Sequence, residues 1–298
     1  MHSRSFRHFG LGLGLACLAC CLTLAMGGRS RRRLWWSLQQ RWLRRRLIDS
    51  ADLIDPASVR LVGGVDISFV KDSATEACAA LVVLDLESKA VVHSVCRDIA
   101  LTEEYLAGYL AFRECPHLLA LLEELRAAHP HLMPHVVLVD GNGILHPAGF
   151  GSASQLGVLA GIPSIGVGKT LPAHCDGITK ETVSACSAQL HAIGDASNLV
   201  GESGRTWGAV LRTTAPEREA SFNPVLVSVG HGLSLQTAVA IVRRCTVHRV
   251  PEPVRQADLR SRAWLREREA SDARHAISPA RTPARRTPSS GRVRRLEL

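Results

Sequence analysis

The sequence predicts an α/β fold, with a mixed β-sheet flanked by helices on both faces. Three extended apolar runs follow one another at residues 61–70, 77–86 and 90–100, joined by short polar stretches, and indicate an antiparallel meander. Strand-like and helix-like segments alternate through the rest of the domain, which indicates that further strands join the sheet through helical connections. A hydrophobic content of 46% with 21% charged residues is typical of a globular protein and excludes an intrinsically disordered one.

An amphipathic helix is predicted before the meander, over residues 35–48. Leu38, Trp42, Leu43 and Leu47 recur at helical spacing, with arginines on the opposite side. Two interpretations stay open for this helix: a packing element with a solvated charged face, or a basic contact for nucleic acid.

The chain after the meander contains the segments that complete the predicted sheet. A helical region begins at Thr102, is interrupted at Pro116 and resumes over residues 118–128. The short apolar run at residues 136–139 suits a central buried strand. The remaining predicted elements are a helix over 152–160, strands over 162–167, 206–212 and 225–229, and a helix over 235–245 that Ser234 caps.

The positive charge of the chain is concentrated at its two ends. The net charge is +9, but residues 1–48 contain ten Arg without Asp or Glu, and residues 271–298 contain seven Arg and two acids, so the centre is acidic. Basic ends suit a polyanionic partner such as nucleic acid, or act as solubilising segments. We therefore divide the chain into an apolar and basic extension at 1–34, a globular domain at 35–268 and a disordered basic tail at 269–298.

The N-terminal extension contains an uncharged apolar run at residues 9–26, flanked by arginines on both sides. Such a run is typical of a signal-peptide core or a short membrane anchor, or it arises from a different start of translation. The stronger arginine cluster follows the run, which would keep the domain on the cytoplasmic side. The nine cysteines are scattered and odd in number, which is typical of reduced thiols in an intracellular protein.

Two aspartates stand in apolar strands, where an ionised carboxylate is unfavourable unless it is paired or bound to a cation. Asp66 lies in the middle of the first strand, and Asp140 ends a buried strand and opens a Gly-x-Gly loop. The alternative for one such residue is an edge position facing water. Magnesium needs only one or two carboxylates beside a substrate phosphate, so the pair predicts a metal site that activates water against a phosphodiester. Glu114 is a third candidate, with a solvated carboxylate near a helix start at Pro116 as the alternative.

Three further ionisable residues follow predicted strands. His146 comes six residues after Asp140, and Lys169 and His231 come directly after strands. If these strands run parallel to the Asp140 strand, all three cluster at one end of the sheet, although a single His is more often structural. The Gly-Lys-Thr sequence around Lys169 is similar to the end of a phosphate-binding loop. That loop requires Gly where this chain has Pro163, so we exclude a nucleoside triphosphatase.

Six separated segments together resemble the endonuclease V family, in the family's order and with similar spacing. The segments are residues 62–69, 112–116, 139–147, 165–169, 229–231 and 251–258. The resemblance covers residues 35–268, and the last segment with the Asp-Gly-Asn-Gly form is similar to the vertebrate branch.

The resemblance implies a ribonuclease H-like fold and a catalytic centre built from acids. In it, Asp66, Glu114 and Asp140 would bind Mg²⁺, with Mn²⁺ also tolerated, and Lys169 would position the attacking water or the phosphate.

The resemblance also implies how the target base is held. Tyr105 occupies the place of the family's wedge tyrosine, which fills the gap left by an extruded base, and His146 and His231 would lie beside the lysine. A tight pocket accepts hypoxanthine while crowding guanine and leaving hydrogen bonds of adenine unmet. The loop of Gly141 and Gly143 is a candidate wall of that pocket, because glycine allows close approach to the backbone.

The activity that the resemblance implies is cleavage of the second phosphodiester 3′ to inosine, leaving 5′-phosphate and 3′-hydroxyl ends. The expected partner is inosine-containing single-stranded RNA, with deaminated DNA as a further substrate and without an obligate protein partner. The expected localisation is cytoplasmic and nuclear or nucleolar, with membrane association left open through residues 9–26. Two alternatives are a catalytically silent inosine-RNA binding protein and a membrane-tethered domain whose site has been reused.

Several residues depart from the family's pattern. Glu104 precedes Tyr105 where the family has a Pro-Tyr-x-Pro-like wedge, and an acid there would repel the phosphate backbone. The other departures are Thr170, Gly232 and the Ser154-Gln155 pair. Activity with a weaker grip on the backbone is therefore expected.

Overall fold

The computed structural model describes residues 27–172, 175–214 and 223–277, and side chains as far as residue 271. The strands in this part of the chain are β1 (Leu61–Phe69), β2 (Glu76–Asp85), β3 (Val91–Ala100), β4 (Val136–Asp140), β5 (Ser164–Gly168), β6 (Ala196–Val200), β7 (Thr206–Leu211) and β8 (Val225–His231). The helices are α1 (Gly28–Arg44), α2 (Leu110–Ala128), α3 (Ser152–Ala160), α4 (Lys180–Ala188), α5 (Leu235–Arg244) and α6 (Glu252–Ile277), with 3₁₀ turns at Pro56–Ser58 and Pro130–Leu132.

All eight strands belong to one mixed sheet, in the order β3-β2-β1-β4-β5-β8-β7-β6. β1 pairs in parallel with β4, and β4 in parallel with β5. The other neighbouring pairs are antiparallel, so the predicted meander and mixed sheet are confirmed. The three parallel strands are central and end at the same edge, which is where ligands bind in open α/β sheets.

Hydrophobic cores cover both faces of the sheet, because side chains alternate along each strand. Val62 and Leu138 belong to the core that contains the apolar residues of α5. Val65 and Val139 belong to the core that contains those of α2 and α3. Helices therefore lie on both faces, as the sequence predicted.

The helix that carries Glu114 differs from the prediction. α2 begins at Leu110, not at Thr102, and it continues through Pro116 instead of stopping there. Pro116 is exposed, so its ring removes a backbone hydrogen bond on the solvent side without disturbing the packed face. Glu114 therefore lies within a helix and not before a helix start at Pro116.

Three elements were not predicted: α4, β6 and α6. α4 buries none of its residues, and β6 is an edge strand with a single fully buried residue, so neither has a strong apolar pattern. The 26-residue α6 packs through Val254, Ala257, Ser261 and Leu265, whose helical spacing is hidden in the sequence because two of them are small. Residues 269–277, predicted as part of the disordered tail, are the end of α6, and residues 278–298 lie outside the described residues.

The N-terminal helix packs through part of the face that its spacing predicted. α1 begins at Gly28 and buries Trp36, which stacks on Phe112 of α2 with ring centroids 5.2 Å apart. Of the four predicted apolar positions, Leu43 is buried and Leu47 packs partly buried against a core, whereas Leu38 and Trp42 are 49% and 54% exposed. Because arginines separate the apolar residues of this helix, its sequence is compatible with two apolar stripes. The aromatic residues of α2 pack against the stripe that contains Trp36.

The predicted localisation was cytoplasmic and nuclear or nucleolar, with membrane association left open. This prediction is contradicted in the part that allows contact with a membrane. Among residues 27–172, 175–214 and 223–277, no helix has the length and apolar character needed to cross a bilayer. The run at residues 9–26, from which the membrane contact was inferred, lies outside the described residues. We therefore do not retain the predicted localisation.

Candidate active site

The two aspartates selected from the sequence occupy matching positions on neighbouring strands. β1 and β4 pair in parallel with Val65 opposite Val139, so the next residues, Asp66 and Asp140, lie side by side. Neighbours in parallel register point to the same face, on strands about 4.8 Å apart. The two valines face α2 and α3, so both carboxylates point towards the opposite face, where α6 packs on β1.

Asp66 is only 9% exposed, and two serine hydroxyls lie within hydrogen-bond distance of its Oδ2; since these hydroxyls also bond to each other, only one of them donates to Asp66. Ser68 Oγ lies 3.4 Å and Ser261 Oγ 3.3 Å from Asp66 Oδ2, and the two hydroxyl oxygens are 2.7 Å apart. Long hydrogen bonds from neutral donors compensate little of a carboxylate's negative charge.

Burial raises the pKa of Asp66 to about 6, and repulsion from the Asp140 and Asp258 carboxylates adds to this effect. The Lys169 ammonium acts in the opposite direction but does not cancel it. Asp66 therefore lies in a group of acids whose negative charge exceeds the positive charge around it.

Glu114 belongs to the same electrostatic group, although α2 differs from the predicted helix. Burial raises its pKa to about 7, and repulsion from Asp66 and Asp140 adds to the shift, while the Arg113 guanidinium lowers it. The structure thus brings all three predicted acids to one region.

Lys169 lies at the same end of the sheet as Asp140, as predicted. β5 is parallel to β4, with Asp140 opposite Val167, so Lys169 follows the end of β5. Its Nζ lies 2.5 Å from Asp140 Oδ2, and both side chains are partly exposed. The ammonium is therefore oriented by one carboxylate while remaining within reach of solvent.

Asp258 is a site residue that the sequence analysis did not select. α6 approaches β1 closely because Gly64 has no side chain: a Cβ there would lie 2.0 Å from the carbonyl oxygen of Pro253. Asp258 lies more than one turn after Pro253 along α6 and is close enough to Asp66 to raise the pKa of Asp66. The Asp258 carboxylate also pairs with Arg262 Nε at 2.8 Å. The spacing of the buried residues along α6 was the signal in the sequence that could have identified Asp258. It determines which side of the helix packs on β1, and Asp258 lies next to that side.

His231 is the predicted site residue that the structure moves away. β8 runs antiparallel to β5, and His231 pairs with Ser164, at the start of β5, not with its end. The distance along β5 from Ser164 to the end of the strand next to Lys169 is four residues, or about 13 Å. The expected clustering of His231 with Lys169 is therefore wrong, because it assumed a parallel strand. Its Nδ1 accepts a hydrogen bond from the backbone N–H of Ile48 at 3.2 Å.

His146 lies in the loop after β4 and is partly buried. Its Nδ1 accepts a hydrogen bond from the Ala148 backbone N–H at 3.2 Å. Burial lowers the pKa of His146 to about 4, so the ring is neutral at physiological pH, with its proton on Nε2.

The Gly-x-Gly loop after Asp140 is packed against β8. Gly143 donates its N–H to Ser228 Oγ at 2.9 Å, and a Cβ on Gly143 would lie 2.0 Å from the Val229 carbonyl oxygen. Gly143 is therefore required for packing, whatever else it contacts. Gly141 remains partly exposed beside Asp140.

Tyr105 is 58% exposed, in the segment before α2. The acids that precede it are paired with α1: Glu104 with Arg29, and Glu103 Oε2 with Arg32 Nη1 at 3.2 Å. The repulsion expected from Glu104 is thus offset by an arginine that sequence spacing did not connect to it.

The donor set suits a hard divalent cation. Within the described residues, no three Asp, Glu, His or Cys side chains converge into a complete metal-binding group. Magnesium does not require one, because it keeps several waters and needs only one or two carboxylates with a substrate phosphate. The adjacent Asp66 and Asp140, both oxygen donors, meet that requirement. The pKa of Asp66 is raised first by burial and then by the neighbouring carboxylates, so a bound cation would stabilise its ionised form.

A mixed sheet with parallel central strands, whose shared end carries clustered carboxylates and a lysine, defines a nuclease of the ribonuclease H-like class. The Endonuclease V family model matches residues 43–259. Human Endonuclease V is 43% identical over 250 residues, which cover 82% of this chain and 87% of the human protein. Mouse Endonuclease V is 44% identical over 237 residues, which cover 78% of this chain and 69% of the mouse protein. The chain belongs to the Endonuclease V family.

Solved structures agree with this assignment. The catalytic domain of human Endonuclease V matches with a TM-score of 0.76 and 41% identity, covering 82% of this chain and 99% of that domain. Endonuclease V from Ciona intestinalis, in complex with a 24-mer DNA containing an inosine followed by a ribo-adenosine, matches with a TM-score of 0.74 and 35% identity. That match covers 79% of this chain and 98% of the Ciona chain. The ribonuclease H-like fold implied by the sequence resemblance is confirmed.

Proposed function

We propose that the protein is a Mg²⁺-dependent endonuclease that cuts single-stranded RNA at the second phosphodiester 3′ to inosine. The products carry 5′-phosphate and 3′-hydroxyl ends, Mn²⁺ substitutes for Mg²⁺, and deaminated DNA is a secondary substrate. The catalytic unit spans residues 35–268, to which the matched residues 43–259 correspond closely. The observation that carries the proposal is the parallel register that sets Asp66 beside Asp140, with Lys169 Nζ 2.5 Å from Asp140.

In this proposal Asp66 and Asp140 hold the metal, with Glu114 and Asp258 completing the acidic surroundings. The bound cation would supply a water of lowered pKa and would neutralise charge that develops on the phosphodiester. Lys169, oriented by Asp140, donates a hydrogen bond to a non-bridging phosphate oxygen or to the attacking water. Because Asp66 is nearly buried, it orients its ligand rigidly and excludes bulk water from that side.

The base is selected beside the acids. Exposed Tyr105 fills the stack after the inosine is extruded, and Gly141 forms part of the wall that accepts hypoxanthine and rejects adenine and guanine. His146, neutral and with a proton on Nε2, borders the same loop. His231 has no part in this site, since its strand runs in the other direction.

The choice of a single RNA strand has two supports. Extruding a base costs least in an unpaired strand, and sequence-specific RNA recognition mostly targets unpaired bases. The Ciona relative was crystallised with a DNA strand in which a ribo-adenosine follows the inosine, and a ribose at that position is what an RNA strand provides.

Two departures from the family's pattern, Glu104 and Gly232, favoured the alternative of a silent inosine-RNA binding protein, and neither weakens the site in the folded protein. Glu104 is paired with Arg29, so its charge does not face the strand unopposed. Gly232 follows His231 at the other end of the sheet from the acids, where it packs against Leu53.

A cleavage assay tests the proposal. Oligoribonucleotides with one inosine or one adenosine, and the corresponding DNA strands, are incubated with and without Mg²⁺. We expect one cut in the inosine RNA, slower cutting of inosine DNA, and intact adenosine strands. The matched control for Asp66→Asn is Asp72→Asn, an exposed aspartate just after β1 with a φ of +61°, which asparagine also adopts. Full cleavage by the Asp66→Asn variant, or cleavage without divalent metal, would contradict the proposal.

A further inference from the structure

A pocket of about 300 Å³ lies between α1 and two segments that lead into the acidic site. Its lining residues are Ser37, Gln40, Arg41, Arg44, Tyr109 and Ala148. Tyr109 immediately precedes α2, the helix of Glu114, and Ala148 lies in the loop that follows Asp140. The pocket is therefore bounded by the same two segments that supply acids to the proposed catalytic centre.

The chemistry of the pocket favours an anion. Two guanidinium groups line it, and none of its lining residues is acidic. Within residues 27–172, 175–214 and 223–277, neither Arg41 nor Arg44 forms an ion pair or a side-chain hydrogen bond. By contrast, Arg29 and Arg32 at the start of the same helix are engaged by Glu104 and Glu103. The unengaged guanidinium groups of α1 that face a cavity are thus the two in its last turn.

Neutral donors add to the two cations. Ser37 Oγ and Tyr109 Oη share one hydrogen bond of 2.5 Å, and since only one of them donates in it, the other keeps a hydroxyl hydrogen to donate. Gln40 Nε2 donates to the Phe150 carbonyl oxygen at 2.9 Å, which fixes the amide and leaves its second N–H available. A tetrahedral phosphate, with several acceptor oxygens and negative charge, matches such a set of donors.

Arg44 is held at the wall of the pocket by backbone packing. A Cβ on Gly149 would lie 2.9 Å from Arg44 Nη2, so the guanidinium rests directly on this glycine, whose φ is +60°. An arginine in contact with the backbone loses less side-chain freedom when it binds a ligand than one extended into solvent.

We infer that this pocket binds a backbone phosphate of the substrate strand, at a nucleotide flanking the cleaved bond. The inference rests on the proposed function, because it takes the strand to enter the acidic site between the two shared segments. A nucleic-acid occupant is favoured by Trp42 on the same helical turn as Arg41, which is 54% exposed and has one ring face under the Arg46 guanidinium, 4.7 Å from the ring centroid, so that the other face is left for a base. Single-stranded nucleic acids are bound by arginines for the phosphates next to exposed aromatic rings for the bases. This subsite gives α1 the second of the two roles left open by its sequence.

The test measures binding without catalysis. A fluorescein-labelled 20-mer single-stranded RNA with one inosine is titrated by anisotropy in EDTA, at several salt concentrations. The Arg41→Gln/Arg44→Gln variant is expected to raise the Kd by about tenfold, the equivalent of one charge-assisted contact. The slope of log K against log salt should become shallower by about 0.7 for each arginine lost.

The matched control is Arg31→Gln/Arg45→Gln, which removes the same charge from exposed positions at the two ends of α1 that do not line the pocket. This control should leave the Kd within about twofold, because charges that do not touch the strand act only through a screened field. Equal losses in the two double variants, or no loss in the first, would overturn the inference. Thermal melts of both variants identify any loss caused by unfolding.

Cleavage and mononucleotide binding, measured beside strand binding, distinguish failure of the subsite from failure of the proposed function. If the wild-type protein cleaves inosine RNA while both double variants bind equally, the subsite fails and the proposed function stands. If cleavage is absent but binding still depends on Arg41 and Arg44, the subsite stands and the proposed function fails. If free inosine monophosphate binds as tightly as the strand, with the same dependence on both arginines, the pocket is a mononucleotide site. That result would overturn the inference that it binds a backbone phosphate of the strand.

Discussion

The two ends of the parallel strands both bury polar side chains, but they differ in how those side chains are compensated. At the end next to Lys169, Asp66 and Asp140 lie side by side with other acids near them, and the pKa of Asp66 rises to about 6. At the other end, Ser164 Oγ donates to the Ala153 carbonyl oxygen at 2.8 Å, and His231 accepts from Ile48 N–H at 3.2 Å.

This difference separates a candidate active site from a structural one. Hydrogen-bonded neutral groups contribute to stability and leave nothing to offer a ligand. Clustered carboxylates with one lysine keep an excess of negative charge, which costs stability and is relieved by a cation. Burial of a polar side chain is therefore a weak sign of function, and uncompensated charge is a stronger one.

The largest expected effect is on cleavage at the acidic end. Asp66→Asn keeps the shape of the side chain but removes its charge, so the rate of inosine-RNA cleavage should fall by about a thousandfold, roughly 4 kcal/mol of transition-state stabilisation. His231→Ala should retain the wild-type rate constant in the same single-turnover assay. Similar losses in both variants would remove the distinction between the two ends.

The packing of α6 on β1 should give the largest effect on stability. Gly64→Ala introduces a Cβ that meets the Pro253 carbonyl oxygen at 2.0 Å, so α6 must move and carry Asp258 away from Asp66. We expect a loss of about 3 kcal/mol in the free energy of unfolding, together with slower cleavage. Gly204→Ala is the control, since its Cβ would meet nothing within 4 Å and only its φ of +81° is unfavourable, at about 1 kcal/mol. Equal unfolding midpoints in urea would contradict this account of α6.

The pH dependence of stability should have opposite signs for two aspartates. The raised pKa of Asp66 means that the fold favours its protonated form. That contribution is fully present below the unfolded-state pKa of about 4 and is lost as pH rises through about 6. With chelator at pH 8, Asp66→Asn should therefore be more stable than the wild type by on the order of 2 kcal/mol, with no gain near pH 3.5.

Asp195 is the opposite case and serves as the control. Backbone N–H groups of Ala192 and His191 lower its pKa, so its contribution to stability is present above the unfolded-state pKa and is lost in acid. Asp195→Asn should be less stable than the wild type at pH 8 and similar to it at low pH. Denaturant titrations at both pH values decide whether the two variants diverge.

At the neutral end of the sheet a smaller effect on stability is expected. His231→Ala leaves the Ile48 N–H without its acceptor and should cost about 1–2 kcal/mol in unfolding free energy. His231→Asn, which offers an amide oxygen as acceptor, should recover part of this loss. If neither variant changes the unfolding midpoint, the hydrogen bond between His231 and Ile48 does not contribute to the stability of the fold.

The smallest effect is expected at the surface between α1 and the wedge segment. Arg29→Gln releases Glu104 beside Tyr105 and should cost less than about 1 kcal/mol in stability, because the pair is exposed. The KM for inosine RNA should rise a few-fold at low salt, since an unpaired acid then faces the strand. The double variant Arg29→Gln/Glu104→Gln should restore the KM, and failure to do so would show that the pair has no part in strand binding.

Much of the fold followed from local patterns, and the failures have definite causes. The meander and the central strands were predicted because extended apolar runs are bounded by polar joints. Pro116 was expected to interrupt a helix, but an exposed proline ring is tolerated where it removes one outward hydrogen bond. α6 was overlooked because its buried positions include Ala257 and Ser261, which do not register as an apolar stripe.

Local patterns also predicted some residues of the candidate site and missed others. Asp66, Asp140 and Lys169 are local signals, since each is a charge in or directly after an apolar strand. Asp258 and the pairing of Arg29 with Glu104 depend on contacts between residues far apart in the chain, which spacing does not reveal. His231 gave the same local signal as Lys169 and proved to lie elsewhere.

By itself, the sequence determined which segments are strands and which charges those strands must carry, because the alternation of side chains and the cost of a buried charge are local properties. Only the tertiary structure decided which of those charges meet. Strand direction is set by how the segments pair and pack: β5 joined β4 in parallel and brought Lys169 to Asp140, whereas β8 joined in the opposite direction and took His231 away.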